Sequence, residues 1–301
     1  MAAGRWLVQR SETDELLVVD AQLEPVWRLP LPDHAHGTHA VTQDCSLVAL
    51  SMLDRVLVVD GGGQQVARFP HQPWEEGSSG CCVFSPGYLL VTVPPRPEPF
   101  FATGDELWLI DLRVMRVVDW RLLETVAAGC DPVPHPDGQT IGLSIGEGQD
   151  ASPIRWVRAH RDRIELRFGP PDEDRVLVAV HPDGDEYLTT PHSGDGPLVR
   201  HRFADDRPIE QLAAADVLGT EEGWDWSAGY LTDSLILAST FESGQDRGRH
   251  VLVQRAPMRL LGEVVYPGDE PQGLIVGPQQ GTWLTVSDHG VHRWVLARPA
   301  G

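Results

Sequence analysis

The chain has 301 residues, 41% hydrophobic and 23% charged, which suits one large or two middling globular domains and is far from disordered or fibrous compositions. Its 44 acidic residues against 24 basic ones give a net charge of −20, the wrong sign for gripping a phosphate backbone, so nucleic acid is excluded as a partner. Every basic residue is arginine: with no lysine in the chain, a Schiff-base lysine, a lysine-bound pyridoxal cofactor and a GxxxxGK phosphate loop are excluded too.

No apolar run follows the first charge at the N-terminus and none reaches the length of a membrane span, so neither a signal peptide nor a membrane partner is expected. Cys45, Cys81, Cys82 and Cys130 show no CxxC spacing, and a chain this long needs no staples; they read as reduced thiols in a cytoplasm.

In chain order, three strands come first (Trp6–Gln9, Glu15–Asp20, Pro25–Leu29). The stretch His39 to Phe69 then reads as a complete unit. A strand enters at His39, turns at Asp44-Cys45-Ser46, returns over Leu47–Ser51, and turns again at Leu53-Asp54-Arg55. Strand Val56–Asp60 follows, then a Gly61-Gly62-Gly63 turn and strand Gln65–Phe69. One such meander cannot bury both its faces in water, so it needs neighbours of its own kind. Runs resembling Val56–Asp60 recur at Leu16–Asp20, Leu107–Asp111, Ile154–Val157, Leu198–His201, Val251–Val253 and Val291–Val295. The interval is roughly 40 to 50 residues, the spacing of propeller blades.

Turns of one kind precede second strands: Ser85-Pro86-Gly87, His135-Pro136-Asp137-Gly138 and His181-Pro182-Asp183-Gly184. Only Ile209–Leu218 is patterned for a helical turn, and no linker divides the chain. The expected fold is therefore all-β, a single β-propeller domain over residues 1–301. It has seven four-stranded blades with incomplete first and last blades, six being the fallback.

The SPDG-type turns and the Val/Ile-Asp strand endings resemble WD40-type β-propellers over almost the whole chain. His39 stands where that family has its Gly-His histidine, Ser51 where it has a second-strand Ser/Thr, and Asp54 where it has its structural aspartate. In the last blade Ser287, Asp288 and Trp294 match three of the four tetrad positions. Val59 replaces the family tryptophan, no third strand ends in Trp-Asp, and the middle blades lack the histidine. A TolB- or lactonase-like propeller stays open as the alternative.

The loops between blades, and those joining second to third strands, would open on one face. They carry Glu75 and Glu76, Asp131, Asp172, Glu173 and Asp174, Glu221 and Glu222, and Glu270. A face of one sign draws oppositely charged ligands. Two loops add tryptophan: Trp74 stands beside Glu75 and Glu76, and Trp224 and Trp226 follow Glu221 and Glu222. An indole next to carboxylates suits a cationic group, whereas a tryptophan that opens a first strand, as Trp226 does, fills core.

Motifs of chemistry are thinner. Gly142-Leu143-Ser144-Ile145-Gly146 has the GxSxG pattern, but its serine falls inside a strand and no helix follows. His34, His36 and His39 form an HxHxxH string, with His39 already assigned a structural part. No metal and no cofactor are expected. The reading is a non-enzymatic protein-interaction scaffold whose acidic face takes a basic segment of another protein. An enzyme of the lactonase-like hydrolase or lyase kind at the same face is the alternative.

Overall fold

A computed structural model describes residues 5–10, 14–33, 35–96, 104–126, 129–148, 151–170, 174–193, 196–217, 222–242, 248–267, 274–287 and 290–297. Two compact units emerge. The first comprises Met1–Pro132, Gly138–Gly148 and Arg155–Phe168; the second comprises Val133–Asp137, Gln149–Ile154 and Gly169–Gly301.

In the first unit, β1 (Trp6–Arg10), β2 (Glu15–Val19) and β3 (Pro25–Pro30) form a three-stranded sheet. The next sheet is β4 (Ala40–Val41), β5 (Leu47–Ser51), β6 (Arg55–Asp60) and β7 (Gln65–Pro70). The third is β8 (Cys82–Ser85), β9 (Tyr88–Val93), β10 (Glu106–Asp111) and β11 (Arg116–Leu122). The fourth, β12 (Gly129–Pro134), β13 (Thr140–Gly146), β14 (Ile154–His160) and β15 (Arg163–Phe168), lies mostly in this unit.

The second unit holds β16 (Arg175–Val180), β17 (Glu186–Pro191), β18 (Leu198–Arg202) and β19 (Pro208–Leu212), then the short helix α1 (Ala214–Val217). The sheet β20 (Glu222–Thr232), β21 (Leu235–Glu242), β22 (His250–Gln254) and β23 (Arg259–Glu263) follows. A three-stranded sheet, β24 (Leu274–Gln279), β25 (Thr282–Ser287) and β26 (Gly290–Val295), comes last. Seven successive antiparallel meanders, with three strands in the first and last, are the blades of a β-propeller. The expected helical turn is half strand: Pro208–Leu212 pairs with β18, and only Ala214–Val217 is helical.

The strands are β-branched and apolar because both faces of an inner strand are covered. Along β9, Leu90 packs with Cys81, Leu107, Leu109, Cys130 and Ile141, while Leu89, Val91 and Val93 pack with Ala49, Val58 and Cys82. Alternation therefore sorts residues between two cores rather than between core and water. For the same reason the vicinal pair Cys81 and Cys82 is buried at both positions, not at one. The outer strands β3, β7 and β11 are exposed or half-buried almost throughout, with Leu29 and Phe69 the buried residues of the first two.

The recurrent Asp at the strand ends has a local cause. Asp60 Oδ1 accepts the N–H groups of Gly62 and Gln64 at 2.9 Å each, and Asp20 Oδ1 those of Gln22 and Glu24 at 2.8 and 3.1 Å. Each carboxylate closes the turn that follows its strand, an Asx turn that Asp111 repeats in the third blade by accepting the Arg113 N–H at 2.8 Å. In the His-Pro-Asp-Gly turns the imidazole does this work: the Asp137 N–H donates to His135 Nδ1 and the Asp183 N–H to His181 Nδ1, each at 3.2 Å. With Nδ1 accepting, His135 carries its proton on Nε2, which donates to Gly184 O at 3.0 Å. The ring lies over Gly184, where a Cβ would stand 2.8 Å from His135 Cε1.

One buried ion network braces the second unit. Arg200 Nε and Nη2 fork onto the two Glu186 carboxylate oxygens at 3.0 and 2.6 Å. Its Nη1 donates to Glu210 at 2.9 Å and to Arg255 O at 2.7 Å. Arg255 stands 3.4 Å from Glu186.

Candidate binding site

In the second unit a cavity of about 240 Å³ opens beside the start of β20. Asp174 just before β16, His192 and Ser193 just after β17, Trp224 to Trp226 in β20 and Phe241 near the end of β21 meet around it. All are residues at strand starts or second-strand ends, where side chains clear the sheet. Gly223 makes room for Phe241, since a Cβ there would stand 2.4 Å from Phe241 Cζ.

The Trp226 indole stacks on His192 with centroids 5.5 Å apart and planes 11° apart, and its Nε1 donates to His192 O at 2.9 Å. These contacts fix the ring while leaving it 57% exposed. Asp225 stands next to it, its Oδ1 accepting the Trp226 N–H at 2.7 Å and its Oδ2 the Ser239 hydroxyl at 3.1 Å. Asp174 accepts the Ser193 hydroxyl at 3.0 Å and faces His192 Nδ1 at 3.1 Å. An immobilised indole, with Asp225 next to it in the strand and Asp174 bonded to the histidine on which it stacks, offers a π face near carboxylates, the complement of a guanidinium or ammonium group. Ser193 turns its hydroxyl to Asp174 rather than to His192, which is not how a base activates a nucleophile.

The residues anticipated from sequence separate into several groups. Trp74, Glu75, Glu76 and Asp131 belong to the first unit, Glu222 and Trp224 to the second. Glu75 and Glu76 are exposed on a turn. Trp74 is buried, its ring against Gly80, and so fills core rather than greeting a ligand. Asp131 is exposed, yet enough protein surrounds its carboxyl for desolvation to raise its pKa. Glu222 is paired with Arg249, which also reaches Glu263 at 3.3 Å, so its charge is spent inside the blade. Glu221 and Glu270 lie outside the described residues.

The two tryptophans of β20 exchange the parts that the sequence suggested. Trp224 is 1% exposed and donates its indole N–H to Leu212 O at 2.9 Å, so it is core; Trp226 is the presented ring. Two residues apart, they should share a face, but the register of β20 against β21 shifts between Trp224 and Ala228. That irregularity turns Trp226 outward, and no periodic signal announces it.

The tetrad-like positions are also rearranged. The Ser51 N–H donates to His39 Nδ1 at 3.2 Å, and burial followed by the nearby charge of His36 lowers the His39 pKa to about 4. Asp54 bonds Arg55 at 2.5 Å instead of the histidine. In the last blade the Trp294 indole N–H donates to Thr285 Oγ1 at 2.9 Å, so the hydroxyl partner is Thr285, two residues before Ser287. The Ser287 side chain, Asp288 and His34 lie outside the described residues. Ser144 sits buried within β13, and among the described residues no three His, Cys, Asp or Glu side chains converge as metal ligands.

No family model matches the chain, and no curated protein matches it significantly. Solved structures do. Kuenenia stuttgartiensis hydrazine synthase superposes with a TM-score of 0.59 at 12% identity, covering 88% of this chain and 78% of that one. KlHsv2 with loop 6CD replaced by a Gly-Ser linker gives 0.55 at 10% identity, over 89% of this chain and 84% of that one. The β-propeller domain of Myceliophteria_thermophila Cps50 (Swd1) gives 0.44 at 12%, over 89% and 98%. At such identities the likeness is one of fold. The class is the β-propeller.

Proposed function

We propose that this propeller is a non-enzymatic, WD40-like interaction scaffold of the cytoplasm that binds a basic segment of a partner protein at the loop face where Trp226 is displayed. The observation that carries the reading is the exposed indole fixed on His192, beside Asp225 in the strand, on a chain of net charge −20. A protein this acidic steers cations toward itself over tens of ångströms at low salt, and the indole supplies the short-range contact once they arrive. The resemblance to WD40-type propellers fits the same role, since such blades present loops rather than a built-in catalyst.

The test is titration of a fluorescein-labelled, arginine-rich peptide, followed by anisotropy. Affinity is expected to fall steeply between about 0.01 and 0.15 M ionic strength, where the Debye length shrinks from about 30 to 8 Å. Trp226→Ala or Asp225→Asn should weaken binding about 3- to 30-fold while leaving the fold intact. Trp224→Ala should instead unfold more readily, by about 3–5 kcal/mol. Binding indifferent to salt, or unchanged in both Trp226→Ala and Asp225→Asn, would overturn the proposal.

A further inference from the structure

Independently of that binding role, we propose that Cys81 and Cys130 are a built site of reversible disulfide formation, joining the first strands of two neighbouring blades of the first unit. The two sulfurs lie 3.2 Å apart, buried at 1% and 3% exposure. A disulfide bond of about 2.05 Å asks them to close by only about 1.2 Å.

The backbones that carry them are held in place by the segment before β4. Thr38 makes a parallel bridge to Cys81, and its N–H donates to Gly80 O at 2.9 Å. The Cys82 N–H donates to Thr38 O at 2.9 Å, and the Thr38 hydroxyl donates to Cys130 O at 3.3 Å. This close approach depends on glycine: Gly37 has φ +82°, and a Cβ there would stand 2.2 Å from Gly80 O. The Cys81 N–H is tied on its other side to Thr92 Oγ1 at 2.7 Å. One threonine thus holds both cysteine backbones, and the thiols meet without rearrangement of a loop.

The pairing is selective. Cys82, adjacent in sequence, points into the other core with Ala49, Val58 and Val91, and Cys45 sits in the turn after β4. Contact with Cys81, burial and the nearby Asp131 and Asp105 charges push the Cys130 thiol up.

The oxidant is a peroxide. One of the two sulfurs attacks a peroxide oxygen, the O–O bond breaks, and a sulfenic acid forms with release of one water. The other sulfur then attacks the sulfenic sulfur, the S–O bond breaks, the S–S bond forms and a second water leaves. Two thiols give up two electrons and two protons, and hydrogen peroxide becomes two waters. A dithiol reductant returns both thiols, as expected of a transient cytoplasmic disulfide.

The experiment treats the folded full-length Cys45→Ser protein with hydrogen peroxide, denatures it in N-ethylmaleimide and weighs it. Before oxidation all three remaining thiols alkylate. Afterwards one is expected to alkylate, the mass deficit being two hydrogen atoms, and dithiothreitol should restore three. Digestion without reduction should give one cross-linked species, kept in Cys82→Ser and lost in Cys130→Ala. The oxidised protein should unfold about 5 °C higher, since the bridge closes a loop of 49 residues. Persistence of three alkylatable thiols, a bridge through Cys82, or only intermolecular dimers would each overturn the proposal; the mass of the Cys45→Ser protein and its cross-linked peptide decide even where Cys130→Ala fails to fold.

Discussion

Replacing Arg200 by methionine would strip the Glu186 carboxylate of its two guanidinium hydrogen bonds and leave only Arg255, at 3.4 Å, as an ion partner. The arginine supplies two hydrogen bonds to it, at 3.0 and 2.6 Å, and is itself satisfied by Glu210 and the Arg255 carbonyl. The pair's side chains are 6% and 8% exposed, so little water can replace the lost partner. Removing one member of such a pair costs about 3–5 kcal/mol, while replacing both with apolar groups is close to neutral. Arg200→Met should therefore lower the urea midpoint by that equivalent, and Arg200→Met/Glu186→Leu should regain most of it.

The pH dependence gives a second signature. Burial alone would raise the Glu186 pKa, but the Arg200 hydrogen bonds and charge, with Arg255, bring it below the ordinary value. In the wild type the pair's stabilisation is present above the unfolded-state pKa of about 4.3 and is lost as pH falls through the lower folded value. In Arg200→Met burial is opposed by the Arg255 charge without the Arg200 hydrogen bonds, so the Glu186 pKa rises relative to the wild type and acidification toward pH about 4 should cost the variant less than it costs the wild type. The assay is urea unfolding followed by circular dichroism at neutral and acidic pH. A loss under about 1 kcal/mol in Arg200→Met, or a double variant as unstable as the single one, would refute the reasoning.

Two further expectations concern the first unit. His39 titrates near pH 4 in the folded chain, against about 6.5 unfolded, so the unfolded chain takes up a proton that the folded one refuses. Its stabilising contribution is present above pH about 6.5 and declines by up to ~1.4 kcal/mol per pH unit toward pH 4, a slope that His39→Gln should flatten in pH-dependent thermal melts. Gly37→Ala and Gly87→Ala both place a side chain at positive φ, +82° and +79°, but only the first meets backbone, Gly80 O at 2.2 Å. Gly87→Ala should cost about 1 kcal/mol and Gly37→Ala at least twice that in melts of the two proteins; equal losses would sink the close-approach argument.

What could be read from the sequence was local. The Asp60 and Asp20 turns, the His-Pro-Asp-Gly turns and the alternation of β9 are decided within a few residues, so the blade pattern was visible. Long-range pairings were not. Glu222 looked like a free loop acid because Arg249, which neutralises it, lies 27 residues away. Trp224 and Trp226 were given each other's parts because the register shift of β20 against β21 leaves no local trace in the sequence. Ser287 came from family spacing, whereas the Trp294 indole reaches Thr285.

The seat of His135 on Gly184 has a consequence for how such a chain can diversify. Because the imidazole needs both a carbonyl to donate to and a residue without a side chain beneath it, the two turns form a lock and its keyhole on consecutive repeats. Exchange of the later repeat for one with any other residue at the Gly184 place would set that ring against a side chain. Recombination at this junction is therefore constrained to keep a glycine there.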